Sequence, residues 1–276
     1  MYNDMLKNII SSALREDIGY GDITSNLCID SNMMAEAIFL AKNTGIISGI
    51  EVVKEVFRQV DENVLVDFQV KNGQRVNKGD IIGQVKGTAR SLLAGERVAL
   101  NFLQHLSGIA TKTAIFKDMA KDSDVKIVDT RKTTPNLRVL EKEAVRHGGG
   151  VNHRFSLDDG ILIKDNHIKG AGGIGKAILL AQKSAPHTLK IEVEVSDLAG
   201  VKEALEYEAD VIMLDNMDLE MMAEAVKLID GKALVEASGN MADKDLQAIA
   251  KIGVNIISIG GLTNSVESMD ISMKFK

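Results

Sequence analysis

An α/β fold is predicted, with a smaller N-terminal domain followed by an incomplete α/β barrel of six or seven strands. Three observations predict it. Short apolar runs recur through the second half: Val125–Asp129, Ile161–Lys164, Ile191–Val195, Val211–Leu214, Ala233–Glu236 and Ile256–Ile259. Between the later runs lie stretches with apolar residues three and four apart, such as Leu198–Glu206 and Met221–Ile229. Short apolar runs alternating with amphipathic helices are the pattern of buried parallel strands in βα units, at about 20 to 30 residues per unit. Finally, every run ends in polar or small residues: Asp129-Thr130-Arg131, Lys164-Asp165-Asn166, Glu194, Asp215-Asn216, Glu236-Ala237-Ser238-Gly239 and Gly260-Gly261. A barrel mouth requires polar chemistry at each strand's C-terminal end, whereas an open doubly wound sheet concentrates it at one switch point. The stretch is too short for eight full units, which typically need about 200 residues or more, so the barrel is incomplete.

The first hundred residues read differently. Ala35–Ala41 and Val64–Val70 look like antiparallel strands, and Asn72–Gly83 carries Asn-Gly and Lys-Gly-Asp turn signals of a hairpin. The same stretch is similar to the hammerhead of lipoyl and biotinyl carriers, although neither Lys71 nor Lys78 has the usual Met-Lys setting. A helical stretch from about Leu92 to Met119 follows, with a break expected at Ser107-Gly108. The boundaries read from these patterns are 1–108 for the N-terminal domain and 109–265 for the barrel, with residues 266–276 returning to the first domain.

Composition narrows the function. The 276 residues are 45% apolar and 26% charged, an ordinary globular balance. The net charge of −6 argues against a general nucleic-acid or acidic-membrane surface, and 4% aromatics without Trp leave no base-stacking platform. No apolar run reaches the roughly 18–20 residues needed to cross a bilayer. Cys28 is alone, which excludes an internal disulfide framework and a cysteine zinc site, and no leader is visible, so a reducing cytoplasm is the expected address.

The densest chemical signal lies between Asp129 and His167. From Thr130 to Arg154 the six basic residues Arg131, Lys132, Arg138, Lys142, Arg146 and Arg154 stand against only Glu141 and Glu143, a local charge of +4 in an acidic chain, with His147 and His153 among them. Arg138, Lys142 and Arg146, four apart, read as one solvated helix face. Arg131 and Lys132 instead end a buried strand, and Arg154 follows the permissive Gly148-Gly149-Gly150, so these three suit a clamp for a polyanion. Lys164 ends another strand, either as a Schiff-base nucleophile or as fixed charge. The five His show no metal-ligand spacing; His105 and His187 read as surface or packing residues, and His153 as the ligand contact. Glu194 and Asp215 end neighbouring strands, placed for acid–base work or hydrated Mg²⁺ carried by a phosphate. Ser238-Gly239-Asn240 and Gly260-Gly261 lie in the last βα units, where barrels commonly bind phosphate.

The stretches Glu16–Ser25, Gly95–Thr111, Asp129–Pro135, Gly148–Arg154, Leu162–Ile168, Glu192–Val195 and Met213–Met217 together resemble the quinolinate phosphoribosyltransferases, in the family's order and over essentially the whole chain. The resemblance implies transfer of phosphoribosyl from phosphoribosyl pyrophosphate to quinolinate with decarboxylation, giving nicotinate mononucleotide, pyrophosphate and CO₂ for NAD synthesis. It implies an N-terminal α/β sandwich on an incomplete barrel, and a homo-oligomer, dimer or hexamer, whose sites are shared between subunits. Arg131, His153, Arg154 and Lys164 would hold quinolinate, with Arg97 entering from a neighbouring subunit. Thr130, Lys132, Glu194, Asp215, Ser238, Gly239, Asn240, Gly260 and Gly261 would bind phosphoribosyl pyrophosphate, and Glu194 and Asp215 would meet Mg²⁺ directly or through water. No organic cofactor is implied. Asn136, Glu143 and Asn264 depart from the family's usual Gly, Tyr and His. The related molybdenum-transport-associated proteins match Lys164–His167 less well.

Overall fold

The computed structural model describes residues 2–121 and 123–276. In chain order the elements begin α1 (Tyr2–Ile18), α2 (Ile23–Cys28), β1 (Met34–Ala41), β2 (Gly45–Ile46), α3 (Ile50–Val60) and β3 (Leu65–Phe68). Then come β4 (Arg75–Val76), β5 (Ile81–Thr88), α4 (Ala89–Met119), β6 (Lys126–Val128), α5 (Arg138–His147) and β7 (Ile161–Ile163). Next are α6 (Asp165–Ala171), α7 (Ile174–Ser184), β8 (Ile191–Val195), α8 (Leu198–Glu206), β9 (Val211–Asp215) and α9 (Leu219–Ile229). The chain ends with β10 (Leu234–Ser238), α10 (Leu246–Lys251), β11 (Ile256–Ser258), α11 (Gly261–Asn264) and β12 (Ile271–Phe275). Two compact units result. One holds the chain up to Ala114 with Thr133–Gly149 and Thr263–Lys276; the other holds Ile115–Lys132 and Gly150–Leu262.

In the first unit an antiparallel sheet runs β12-β1-β5-β3. Ala37 of β1 faces Phe275 of the C-terminal strand, and Met34 faces Thr88 of β5. Its core holds Phe39, stacked on Phe68 at 5.2 Å and edge-on to Phe57 of α3 at 6.5 Å. The apolar stripe Val52, Val53, Val56 and Phe57 buries one face of α3.

Three expectations fail here. The stretch Asn72–Gly83 is no hairpin, because β4 pairs with β2 in a separate two-stranded sheet while β5 pairs with β1 and β3. The turn signals are real, but each flank found a better partner elsewhere, and the carrier reading loses its basis. Helix α4 runs unbroken through Ser107-Gly108. Gly108 serves close approach instead: a Cβ there would lie 2.3 Å from the carbonyl oxygen of Glu267, and the Ser107 hydroxyl donates to the Ser48 carbonyl at 3.2 Å. The basic face of α5 is not solvated throughout, since Lys142 is buried, Arg138 half-buried and Arg146 exposed.

In the second unit six parallel strands run β6-β11-β10-β9-β8-β7. Closing that order would bring β7 back to β6, but among the described residues the two do not pair, and an isolated bridge from Val128 to Val151 stands at that edge. This is the incomplete barrel, with six strands. Asp197, Asp218 and Asp245 cap α8, α9 and α10 by accepting the N–H of Gly200, Met221 and Ala248, each satisfying an amide left open at a helix start. The caps set where each helix begins, so the preceding strand ends keep a defined place. Among the described residues no helix is long and apolar enough to cross a membrane.

Candidate active site

A period of two along each barrel strand separates two faces. On β8, Ile191, Val193 and Val195 alternate with Glu192 and Glu194; on β10, Val235 and Ala237 alternate with Glu236 and Ser238. From these polar sets Glu194, Glu236 and Ser238 line one cavity of about 610 Å³. Its wall brings together most of the residues singled out from the sequence: Thr130, Arg131, Lys132, His153, Arg154, Lys164, Glu194, Asp215, Ser238, Gly239 and Asn240. It does not include Gly260 and Gly261, which follow β11 at the start of the single-turn α11. Arg97 is exposed on α4, in the first unit. His147 binds the Ser48 hydroxyl at 2.8 Å, and burial lowers its pKa. His105 is not a plain surface residue: its Nε2 lies 2.8 Å from Oε1 of the fully buried Glu141, whose Oε2 accepts the Thr134 N–H.

The cationic side is built around a residue the sequence reading passed over. Asp129, with no solvent exposure, accepts the His153 N–H at 2.9 Å and the Asn152 side-chain amide at 2.6 Å. That fixes the segment carrying His153 and Arg154 against the end of β6. The Arg154 guanidinium donates to the Gly160 carbonyl at 2.9 Å. Burial, and then the charge of Arg131, push the Arg154 pKa down, while Glu192 pushes it back up. Two guanidiniums held close enough to repel form a site short of negative charge. Lys164 forms an ion pair with Glu194 across the neighbouring strands β7 and β8, the arrangement of a fixed charge rather than of a nucleophile.

On the opposite wall Asp215 accepts the side-chain amide of Asn216 at 2.8 Å. Asn216 and Asn240 both adopt left-handed backbone, at φ 56° and 52°, a conformation asparagine tolerates better than most residues. Gly239, at φ +88°, leaves no room for a side chain, since a Cβ would stand 2.3 Å from Asn216 Oδ1. Asn216 thus packs directly on Gly239, and both residues line the cavity. Ser258 joins it, its hydroxyl donating to that of Ser238 at 3.1 Å.

Glu192 and Glu236 flank His153, whose Nε2 lies 3.3 Å from one and 3.6 Å from the other; of the two glutamates, Glu236 lines the cavity. The sequence reading missed both glutamates. The signal was available: each stands two residues before a chosen wall residue, on the same strand face.

An incomplete α/β barrel with a ring of fixed cations facing two strand-end carboxylates and a glycine loop defines an enzyme for small polyanionic substrates. Known proteins narrow this. The family model of the quinolinate phosphoribosyl transferase N-terminal domain matches residues 22–107, and that of the C-terminal domain matches residues 109–274. A probable nicotinate-nucleotide pyrophosphorylase [carboxylating] of Bacillus subtilis is 47% identical, over 97% of this chain and 92% of its own length. A mitochondrial quinolinate phosphoribosyltransferase [decarboxylating] of Nicotiana tabacum is 43% identical, over 98% and 82%. The nicotinate-nucleotide pyrophosphorylase structure from Francisella tularensis superposes with a TM-score of 0.95 at 39% identity, covering 99% of this chain and 97% of that one. The chain belongs to the quinolinate phosphoribosyltransferase family.

Proposed function

We propose that this chain transfers phosphoribosyl from phosphoribosyl pyrophosphate to quinolinate, with decarboxylation, giving nicotinate mononucleotide, pyrophosphate and CO₂ in NAD biosynthesis. One observation carries the reading: Arg131, Arg154 and Lys164 share a single cavity with Glu194, Asp215 and the Gly239 loop. A dicarboxylate needs paired cations, and a phosphorylated sugar needs carboxylates for its hydroxyls and open amides for its phosphate.

Arg131, Arg154 and Lys164 hold the two quinolinate carboxylates; His153 stands beside them with both ring nitrogens engaged inside the protein, Nδ1 by the Arg154 N–H and Nε2 facing Glu192 and Glu236. Thr130 and Lys132 meet the pyrophosphate, Glu194 and Asp215 the ribose hydroxyls, and Ser238, Gly239 and Asn240 the 5-phosphate, to which the Gly260-Gly261 turn would add backbone amides. The donor set suits Mg²⁺, a hard cation that takes one or two carboxylates when phosphates supply its other oxygens; Glu194 and Asp215 would hold it, directly or through water. Held there, Mg²⁺ would supply positive charge to offset that developing on the leaving pyrophosphate. The protein's own part is orientation and fixed charge, which is why no nucleophile triad or organic cofactor is needed. Once the ring nitrogen bonds to the ribose it becomes a pyridinium, which accepts the electrons left as CO₂ departs.

The same reading makes the enzyme a homo-oligomer in which Arg97 serves a neighbouring subunit's site, with a cytoplasmic address suggested by the lone cysteine. Incubation of purified protein with quinolinate, phosphoribosyl pyrophosphate and Mg²⁺ tests it. Nicotinate mononucleotide and CO₂ are expected; product from nicotinate but none from quinolinate overturns the specificity.

A further inference from the structure

Glu236 and Glu192 have no task in the reaction as set out. Glu236 is 1% exposed and Glu192 8%, and Oε1 of each lacks a hydrogen-bond partner among the described residues. One oxygen from each lies within 4.8 Å of the other and of a His153 ring nitrogen. Two carboxylates this close and this dry do not both ionise; one keeps its proton.

A histidine with two carboxylates is also the makeup of a metal site, but the ring is turned the wrong way. The Arg154 N–H donates to His153 Nδ1 at 2.7 Å, so Nδ1 is unprotonated and the ring proton sits on Nε2. Nε2 is the nitrogen facing both glutamates, and there it acts as a donor, not a ligand.

The proposed reaction consumes one proton at carbon each turnover. Arginine holds its protons too firmly to supply it, and Lys164 is engaged by Glu194. Resting on the phosphoribosyl transfer proposed above, we propose that Glu236 is the acid that protonates the ring carbon vacated by CO₂. The bond between C2 and the carboxylate carbon breaks, its electron pair stays on C2 beside the pyridinium nitrogen, and CO₂ leaves. The O–H bond of Glu236 then breaks as a C2–H bond forms. The resulting carboxylate takes its next proton from water after product release. Glu236 lines the cavity, and the groups facing it suit the role: Glu192 on β8, His153 after β6 and Ser258 on β11. Burial and the Glu192 charge hold its pKa up at about 7, against the opposing pull of His153 and Ser258, near the operating pH where a general acid is most effective.

The test compares wild type with Glu236→Gln and Glu236→Asp in single-turnover assays with quinolinate, phosphoribosyl pyrophosphate and Mg²⁺. Nicotinate mononucleotide formation should slow by about 10²-fold or more in Glu236→Gln, within the range such groups contribute, while quinolinate binding is retained. Glu236→Asp should recover part of the rate. The alkaline fall in kcat/KM of the wild type should vanish in Glu236→Gln. An unchanged rate and pH profile in Glu236→Gln overturns the proposal, as does a loss of quinolinate binding as large as the loss of rate. Infrared difference spectra give a check on wild-type protein alone: a protonated carboxyl band present at pH 6 should disappear above pH 8, and its absence at pH 6 overturns the proposal. Wild type that makes no nicotinate mononucleotide fails the functional reading itself, a result distinct from active wild type with an unaffected Glu236→Gln.

Discussion

Asp129 accepts the backbone N–H of His153 at 2.9 Å from a position sealed off from solvent, and so ties the end of β6 to the segment that carries the clamp. Removing that acceptor leaves a buried N–H unpaired, at a cost of about 1–3 kcal/mol. Asp129→Ala should therefore lower both the unfolding midpoint and quinolinate affinity, with Asp129→Asn, which keeps one acceptor, in between. Equal affinity in all three proteins would show that the segment is held by other means.

Arg131→Ala and Arg154→Ala should each weaken quinolinate binding by about 2–5 kcal/mol, because a bound carboxylate loses its charged partner. Titration of quinolinate into each variant decides it. Wild-type affinity in both would remove them from the clamp.

Glu194→Gln and Asp215→Asn keep side-chain size and delete charge. Both should lose turnover and need more Mg²⁺ while still binding quinolinate, since Mg²⁺ depends on few protein oxygens once phosphates are present. Activity measured against Mg²⁺ concentration would show the shift; an identical requirement in both variants takes them out of the metal's surroundings.

Arg97 is exposed on α4, in the first unit. If it completes a neighbouring subunit's site, inactive Arg97→Ala and inactive Lys164→Ala chains should regain activity after subunit exchange, because one hybrid site is then intact. Verified mixed oligomers that stay dead would rule out the shared site.

Glu236 also sets a pH dependence of stability. Its pKa rises on folding from 4.5 to about 7. Below 4.5 both states hold the proton and no stability is lost. As pH climbs toward 7 the unfolded chain ionises first, so the folded state loses up to about 3 kcal/mol, complete once pH passes 7. Glu236→Gln cannot ionise and should escape this loss. Its thermal midpoint should match wild type near pH 4.5 and exceed it most at pH 8; parallel curves across that range would contradict the shift.

The alternation of apolar runs and amphipathic helices, together with polar residues closing each run, was sufficient to place Arg131, Lys164, Glu194, Asp215 and Ser238 at one barrel mouth. Those features are local: a strand's period of two and its C-terminal residue are written in adjacent positions. What lies opposite a residue is not local, and there the tertiary structure decided. Turn signals in Asn72–Gly83 could not say that β4 would pair with β2 rather than β5, because strand pairing depends on partners elsewhere in the chain. Gly108 looked like a helix break and is instead the space beneath the Glu267 carbonyl. Asp129 ended a strand like several other polar residues, yet only folding seals it from water and gives it His153 to hold. Glu192, Glu236 and His153 come from three separate segments, and only when the barrel brings them within a few ångströms, away from solvent, is the Glu236 carboxyl pushed up to about 7.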